Sequence, residues 1–171
     1  CRSPDPYRAS AVLAKGAGFC VGKAALLAAI ARAEGIPARL RFADVRNHLC
    51  TPRLRALVGG DVFYYHGLVE LELDHQWVKA TPAFDRPLCE RFGVLPLEFD
   101  GRVDSVFQPY DRAGRRHMEY VRDRGAHVDV PVAEIKEAFA RHYPRLGAVS
   151  AAAAGPADRF RNEAERVVEA P

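Results

Sequence analysis

The stretch from Lys15 to Glu34 constrains the fold of this chain more than any other part of its sequence. A glycine-containing loop leads to Cys20, and an Ala/Leu-rich run that carries few charges follows it. Such a run predicts a helix, and because it is apolar on all sides we expect the helix to be buried at the centre of the fold. Gly35 and Pro37, which are typical of helix ends, stop it.

Cys20 falls in the first turn of this predicted helix. The unpaired N–H groups and the positive end of the helix dipole favour a thiolate there. This is where a nucleophilic cysteine would be placed. A cysteine between Phe19 and Val21 is more often a small buried apolar side chain, and only residues further along the chain favour the nucleophile.

Residues 62–81 predict a β-hairpin. Leucine and glutamate alternate along the first strand, and residues 74–75 make the turn. His66 lies at the outer end of the first strand, which places it opposite Thr81 or Pro82 on the returning strand. The hairpin therefore supplies a histidine that a neighbouring helix start could meet.

The chain order of Cys20, His66 and Asp85 fits a nucleophile, a base and a group that orients the base. A Cys–His pair works because the imidazole accepts the thiol proton, while a third group fixes the tautomer of the imidazole. Asp85 lies in a loop between two prolines, from which it would reach back to His66. Thr81 and Asn47 are the alternatives for this third position.

Four motifs in this order resemble the core of the transglutaminase-like superfamily, especially its bacterial members. They are Gly-Phe-Cys-Val-Gly-Lys-Ala (18–24), Gly-Ile-Pro-Ala-Arg (35–39), His-Gly-Leu-Val-Glu (66–70) and Trp-Val-Lys-Ala-Thr-Pro (77–82). The resemblance covers residues 9–83. It implies an α+β, papain-like fold in which the Cys-bearing helix packs on an antiparallel sheet, with Cys20 as nucleophile and His66 as base.

The chain departs from the pattern of this superfamily in two places. The acidic third member commonly precedes the proline of the second strand, and Thr81 stands at that position here. Asp85, one loop further on, is the residue that we expect to replace it. The helices that usually precede the cysteine loop are expected to be shortened or absent here.

The resemblance implies acyl transfer through a Cys20 thioester. The expected substrate is a peptide, a protein or another amide-bearing molecule. Attack by water would give hydrolysis, and attack by an amine acceptor would give transamidation. Tyr65 and Trp77 are candidate substrate-binding residues, with packing in the sheet as their alternative role. The alternative function is a catalytically silent domain that serves as a binding module.

Composition bounds the remaining possibilities. The 171 residues, 49% of them hydrophobic, suffice for one catalytic domain, which we assign to residues 1–146, followed by a flexible linker and tail at 147–171. A net charge of +3 with mixed signs gives no case for nucleic acid, and no apolar run predicts a membrane span. Scattered cysteines and histidines predict neither metal nor cofactor, and a reduced, cytoplasmic compartment is expected.

Overall fold

A computed structural model describes residues 5–143 of the chain, with Arg53 described by its backbone only. The linker and tail expected at 147–171 lie outside the described residues. Within the described part the chain forms the following helices and strands, in chain order: α1 (Ala9–Lys15), α2 (Cys20–Ala33), β1 (Ala38–Asn47), α3 (Pro52–Val58), β2 (Val62–Leu73), β3 (Gln76–Ala80), α4 (Arg86–Phe92), β4 (Met118–His127) and α5 (Val132–His142).

The four strands form one antiparallel sheet in the order β3-β2-β1-β4, and α2 packs on one face of it. Val21 and Ala24 of α2 contact a core that includes Phe42 of β1 and Val69 of β2, and Ile135 of α5 completes it. The expected α+β fold, with a Cys-bearing helix on an antiparallel sheet, is confirmed.

Helix α2 is buried on one side only, not all round as its composition predicts. Ala24 and Ala28 are inaccessible to solvent or nearly so, whereas Ile30 is 50% exposed. The reason is that the sheet covers one side of the helix, and Val12 of α1 covers only its start, next to Gly22. No single helix in the described part of the chain is long and apolar enough to cross a membrane; α1 and α2 pass that test only as a pair bent by 103°.

The predicted hairpin is present as β2 and β3, with Val69 paired to Ala80. Asp74 and His75 both adopt left-handed φ angles, of 48° and 64°, which is the backbone of a two-residue turn that matches the twist of the strands. This turn fixes the register of the hairpin and hence the position of His66 at its open end.

Three segments have structures that the local sequence pattern does not indicate. Strand β1 continues through Asp44 to Asn47, and the buried Asp44 carboxylate binds Arg124 of β4 with distances of 2.6 and 2.9 Å. Residues 104–110 form only isolated bridges, at Ser105 and Tyr110, and no strand. A further helix, α4, occupies part of a segment that was expected to be loop.

Gly67 of β2 is where the sheet and α2 approach most closely at the site. A Cβ atom at this position would lie 2.9 Å from the Cα of Val21 and 3.3 Å from the carbonyl oxygen of Cys20. Both are backbone atoms, which cannot rotate aside as a flexible side chain could. The absence of a side chain at Gly67 therefore sets how near the first turn of α2 can come to the strand that carries His66.

Replacing Gly67 with Ala is expected to lower the free energy of unfolding by about 2–3 kcal/mol, because the new methyl group must push the start of α2 away from β2. Urea denaturation followed by circular dichroism would measure this. Gly60→Ala is the matched control, since a Cβ atom there meets nothing within 4 Å and its φ is not left-handed. Equal stability of the two variants would contradict the close approach.

Candidate active site

Cys20 is the first residue of α2, and Phe19 in an extended conformation precedes it as the N-cap. No side chain caps this helix start. The backbone N–H groups of Gly67, Val21 and Cys20 itself interact with the sulfur. The thiol thus lies among amide hydrogens from both the helix and the neighbouring strand, which is an environment that stabilises negative charge.

Burial nevertheless has the largest effect on this thiol. Desolvation raises the pKa of Cys20 above its ordinary value, and the amides of Gly67 and Val21 and the charge of Lys23 lower it only in part. The helix start alone was expected to favour a thiolate. The structure shows that burial outweighs it, so the resting group at neutral pH is the thiol.

His66 lies in β2 directly before Gly67, and its side chain is 5% exposed. Side chains alternate along β2, so Val69 faces the core under α2 while His66 and Glu70 face the opposite side of the sheet. There the imidazole packs on Phe107, with ring centroids 4.6 Å apart, and lies 6.4 Å from the ring of Tyr120. Burial alone lowers the pKa of His66 to about 3.

Gly67 connects the surroundings of Cys20 with His66. The Gly67 amide interacts with the Cys20 sulfur, and His66 is the residue that precedes this amide. Tyr120 is a second link, because it lies beside the His66 ring and a Cys20 thiolate would raise its pKa, after the larger effect of its burial. The two expected catalytic residues are thus linked through the Gly67 amide, but the His66 ring faces away from α2, and no hydrogen bond joins its Nε2 to the Cys20 sulfur.

Comparison with known proteins agrees with this arrangement. Residues 1–82 match the family model of the transglutaminase-like superfamily. This part of the chain is transglutaminase-like. The match contains α1, α2, β1, β2 and β3, and with them both Cys20 and His66. No curated protein and no solved structure shows a significant match to the chain.

The third position of the transglutaminase-like site holds no carboxylate that binds His66. Asp85 is exposed and caps α4, where its Oδ1 accepts a hydrogen bond from the Leu88 amide at 3.0 Å. Asn47 accepts one from the Leu49 amide, also at 3.0 Å. Within residues 5–143 no group forms a hydrogen bond with the buried His66 Nε2. The expected reach of Asp85 to His66 is therefore not seen.

Thr81, at the position where the superfamily commonly has its acid, is buried beside the site. Its Oγ1 has no hydrogen-bond partner in the described part of the chain, although the Tyr120 hydroxyl is close enough to interact with it. The Tyr120 hydroxyl accepts a hydrogen bond from the Phe107 amide at 3.3 Å. A neutral threonine and a neutral phenol thus stand where a charged group would.

The two candidate substrate-binding residues lie elsewhere. Tyr65 is buried in the core, with its hydroxyl bonded to Glu134 at 3.1 Å and its ring 4.1 Å from the Arg124 guanidinium carbon. Trp77 pairs with Glu72, which lies about 20 Å along the extended strand from His66. The structure therefore does not bring either side chain to the thiol.

Aromatic residues that follow β3 in the chain form the wall behind His66. They are Phe84, Phe107, His117 and Tyr120. His117 has a buried Nδ1 without a partner among the described residues, as do His66 and Thr81 at the atoms named above. Sequence reasoning missed this wall, because nothing in the local pattern of residues 84–120 indicates which of them face His66. Residues 5–143 contain no group of three or more His, Cys, Asp or Glu that could hold a metal ion.

The buried imidazole is expected to make stability depend on pH. It stays neutral in the folded protein down to about pH 3, whereas in the unfolded chain it titrates at 6.5. The unfolded state therefore binds a proton between these values, and the free energy of unfolding falls as the pH drops below 6.5. This loss reaches about 2 kcal/mol at roughly pH 5.

Urea denaturation between neutral pH and about pH 5 would show a smaller loss for His66→Gln than for the wild type, by that same amount of about 2 kcal/mol. His75→Asn, which removes an exposed histidine from the hairpin turn, is the control and should keep the wild-type dependence. Parallel curves for the wild type and His66→Gln would show that His66 is not buried in its neutral form.

Proposed function

We propose that this chain is a cysteine-dependent acyl-transfer enzyme in which Cys20 is the nucleophile and His66 is the base. The observation that carries this proposal is the position of the Cys20 sulfur, which lies against the Gly67 amide, one residue from His66. A structural cysteine needs no such neighbours. The transglutaminase-like match, which contains both residues, supports the same assignment.

The reaction begins when the thiol proton passes to the His66 imidazole and the sulfur attacks the substrate carbonyl carbon. The resulting oxyanion is stabilised by N–H groups at the start of α2, with the Cys20 amide as the first donor. Collapse of this intermediate breaks the bond to the leaving group, which takes the proton from His66. A thioester on Cys20 and a free amine result.

The second half of the reaction releases the acyl group. His66 removes a proton from water or from an amine acceptor, and the activated nucleophile attacks the thioester carbonyl. Cys20 leaves as the thiolate and recovers the proton from His66. Water gives hydrolysis, and an amine gives transamidation. The proposed substrates are peptides, proteins or other molecules with an amide bond.

The resting state of this pair is a neutral thiol with a neutral imidazole. Burial raises the pKa of Cys20 and lowers that of His66 to about 3, so an ion pair between thiolate and imidazolium is disfavoured before substrate binds. Proton transfer therefore accompanies attack on the substrate, as in general base catalysis. Alkylating agents react with the thiolate. At acidic pH the neutral Cys20 thiol is therefore expected to be unreactive toward them, in contrast to the thiolate of a preformed ion pair.

An activated ester tests the proposed roles without knowledge of the natural substrate. Incubation with p-nitrophenyl acetate is expected to acetylate Cys20 faster than the half-buried Cys50, because the proposed mechanism gives Cys20 a base and oxyanion donors. His66→Gln should slow acetylation of Cys20 by about a hundredfold. Peptide mass spectrometry after rapid acid quenching would measure both rates.

Cys50 in the same molecules is the internal control, since its acetylation should not respond to His66→Gln. Loss of the acetyl group can then be followed with and without methylamine, which separates hydrolysis from amine transfer. Equal acetylation of Cys20 and Cys50, or no effect of His66→Gln on Cys20, would argue against catalysis.

A catalytically silent binding module is the second candidate function, and one observation favours it. The buried His66 Nε2 and Thr81 Oγ1 lack hydrogen-bond partners within the described residues, and no carboxylate stabilises an imidazolium at this site. A charged third member contributes both orientation and charge stabilisation in a catalytic triad. A chain that has lost this member has lost part of the machinery for rapid turnover.

Thr81→Asp would show whether position 81 can still serve the imidazole. A carboxylate beside His66 is expected to raise its pKa from about 3 toward the ordinary 6.5, because the negative charge stabilises the imidazolium. An NMR titration of the His66 ring protons would measure this pKa. Thr81→Asn, which is neutral and of the same size as Asp, is the control. An unchanged pKa in Thr81→Asp would mean that position 81 does not face the ring.

A further inference from the structure

Lys23 lies one turn after Cys20 on α2 and joins the helix to the end of the hairpin. Its backbone N–H bonds to the Phe19 carbonyl at 2.9 Å, which is part of the first helical turn. Its ammonium group donates a hydrogen bond to the Ala83 carbonyl at 2.8 Å. The Ala83 amide in turn bonds to the Thr81 carbonyl at 2.9 Å, so Lys23 holds the tight turn that follows β3.

The charge of Lys23 is not neutralised locally. Within residues 5–143 no carboxylate forms an ion pair with it, and its hydrogen-bond acceptor is an uncharged carbonyl. The side chain is half-buried, so solvent screens its charge less than at the surface. Its field therefore acts on whatever charge develops at the start of α2.

The other titratable groups around Cys20 do not supply positive charge at neutral pH. They are Tyr7 from the segment before α1, His66 from β2, Tyr120 from β4 and Tyr143 after α5. Burial raises the pKa of each tyrosine and lowers that of His66, so all four are neutral. Of the groups that act on the Cys20 thiol, Lys23 is the one that is positively charged at neutral pH.

We propose that Lys23 is an electrostatic positioning residue, whose ammonium group stabilises negative charge on the Cys20 sulfur while its bond to Ala83 holds the Thr81 turn beside the site. The proposal rests on the proposed function only in taking Cys20 as the nucleophile. Where an imidazolium held by a carboxylate would stabilise the thiolate, this site uses a fixed ammonium group on the same helix. The charge is already in place before any substrate binds.

Three substitutions of Lys23 separate its charge from its hydrogen bond. Lys23→Arg keeps both, Lys23→Gln keeps an N–H donor for the Ala83 carbonyl without the charge, and Lys23→Met loses both. The ionised fraction of Cys20 is measured by the ultraviolet absorbance of the thiolate across a range of pH, as the difference from a Cys20→Ser variant of each protein. Thermal unfolding confirms that each variant is folded.

At pH values below the midpoint of the Cys20 titration, the thiolate fraction is expected to fall about three- to tenfold in Lys23→Gln and Lys23→Met. In Lys23→Arg it is expected to stay near the wild-type value. Arg32→Met is the matched control. Arg32 lies near the other end of α2 and also donates to backbone carbonyls, those of Ala38 and Val128, but it is about 18 Å along the helix from Cys20.

Each result distinguishes the inference from its alternatives. A lower thiolate fraction in Lys23→Met with a wild-type fraction in Lys23→Gln would mean that Lys23 acts only through its hydrogen bond, which would overturn the electrostatic role. An unchanged thiolate fraction in both variants, or an equal decrease in Arg32→Met, would also overturn it. If the thiolate fraction depends on the charge of Lys23 but p-nitrophenyl acetate does not acetylate Cys20, the inference is supported and the proposed enzymatic function is not.

Discussion

The close contact between α2 and β2 at Gly67 is the constraint on which the rest of this structure depends. A helix normally stands off a sheet by the length of the side chains between them, and here one of those side chains is missing. Without it, the amide of Gly67 reaches the sulfur of Cys20, and the residue before it is His66. The candidate site is thus a consequence of backbone packing, and the same contact that stabilises the core places the Cys20 sulfur beside the residue that follows His66.

Burial then decides the chemistry of these groups. The wall formed by Phe107 and Tyr120 removes His66 from water, and no carboxylate in the described part of the chain compensates, so both members of the pair are neutral at rest. A site of this kind gains little from a preformed ion pair and depends on fixed dipoles and charges instead. The amides at the start of α2 and the ammonium group of Lys23 are the groups available for that purpose.

The third member of the site shows where reasoning from sequence reaches its limit. Asp85 has the right charge and a plausible distance along the chain, but the sequence Asp-Arg-Pro is equally a helix start, and the carboxylate caps α4. A hydrogen bond from the amide three residues further on to Asp85 forms within the local chain. It is therefore favoured over a contact with His66, for which the loop would have to fold back. The signal was present in the proline that follows Asp85, a residue type common in the first turn of a helix.

Local patterns in the sequence predict the helix that carries Cys20, the hairpin that carries His66 and the α+β class, because helical and strand periodicities, glycines and turn residues are local properties. It also contained the motifs of the transglutaminase-like match. Three features depend on the folded structure: the burial of the thiol, the lack of an acidic partner for His66 within residues 5–143, and the contact of Lys23 with Ala83. Desolvation and long-range contacts arise when distant segments pack, and no spacing along the chain encodes them directly.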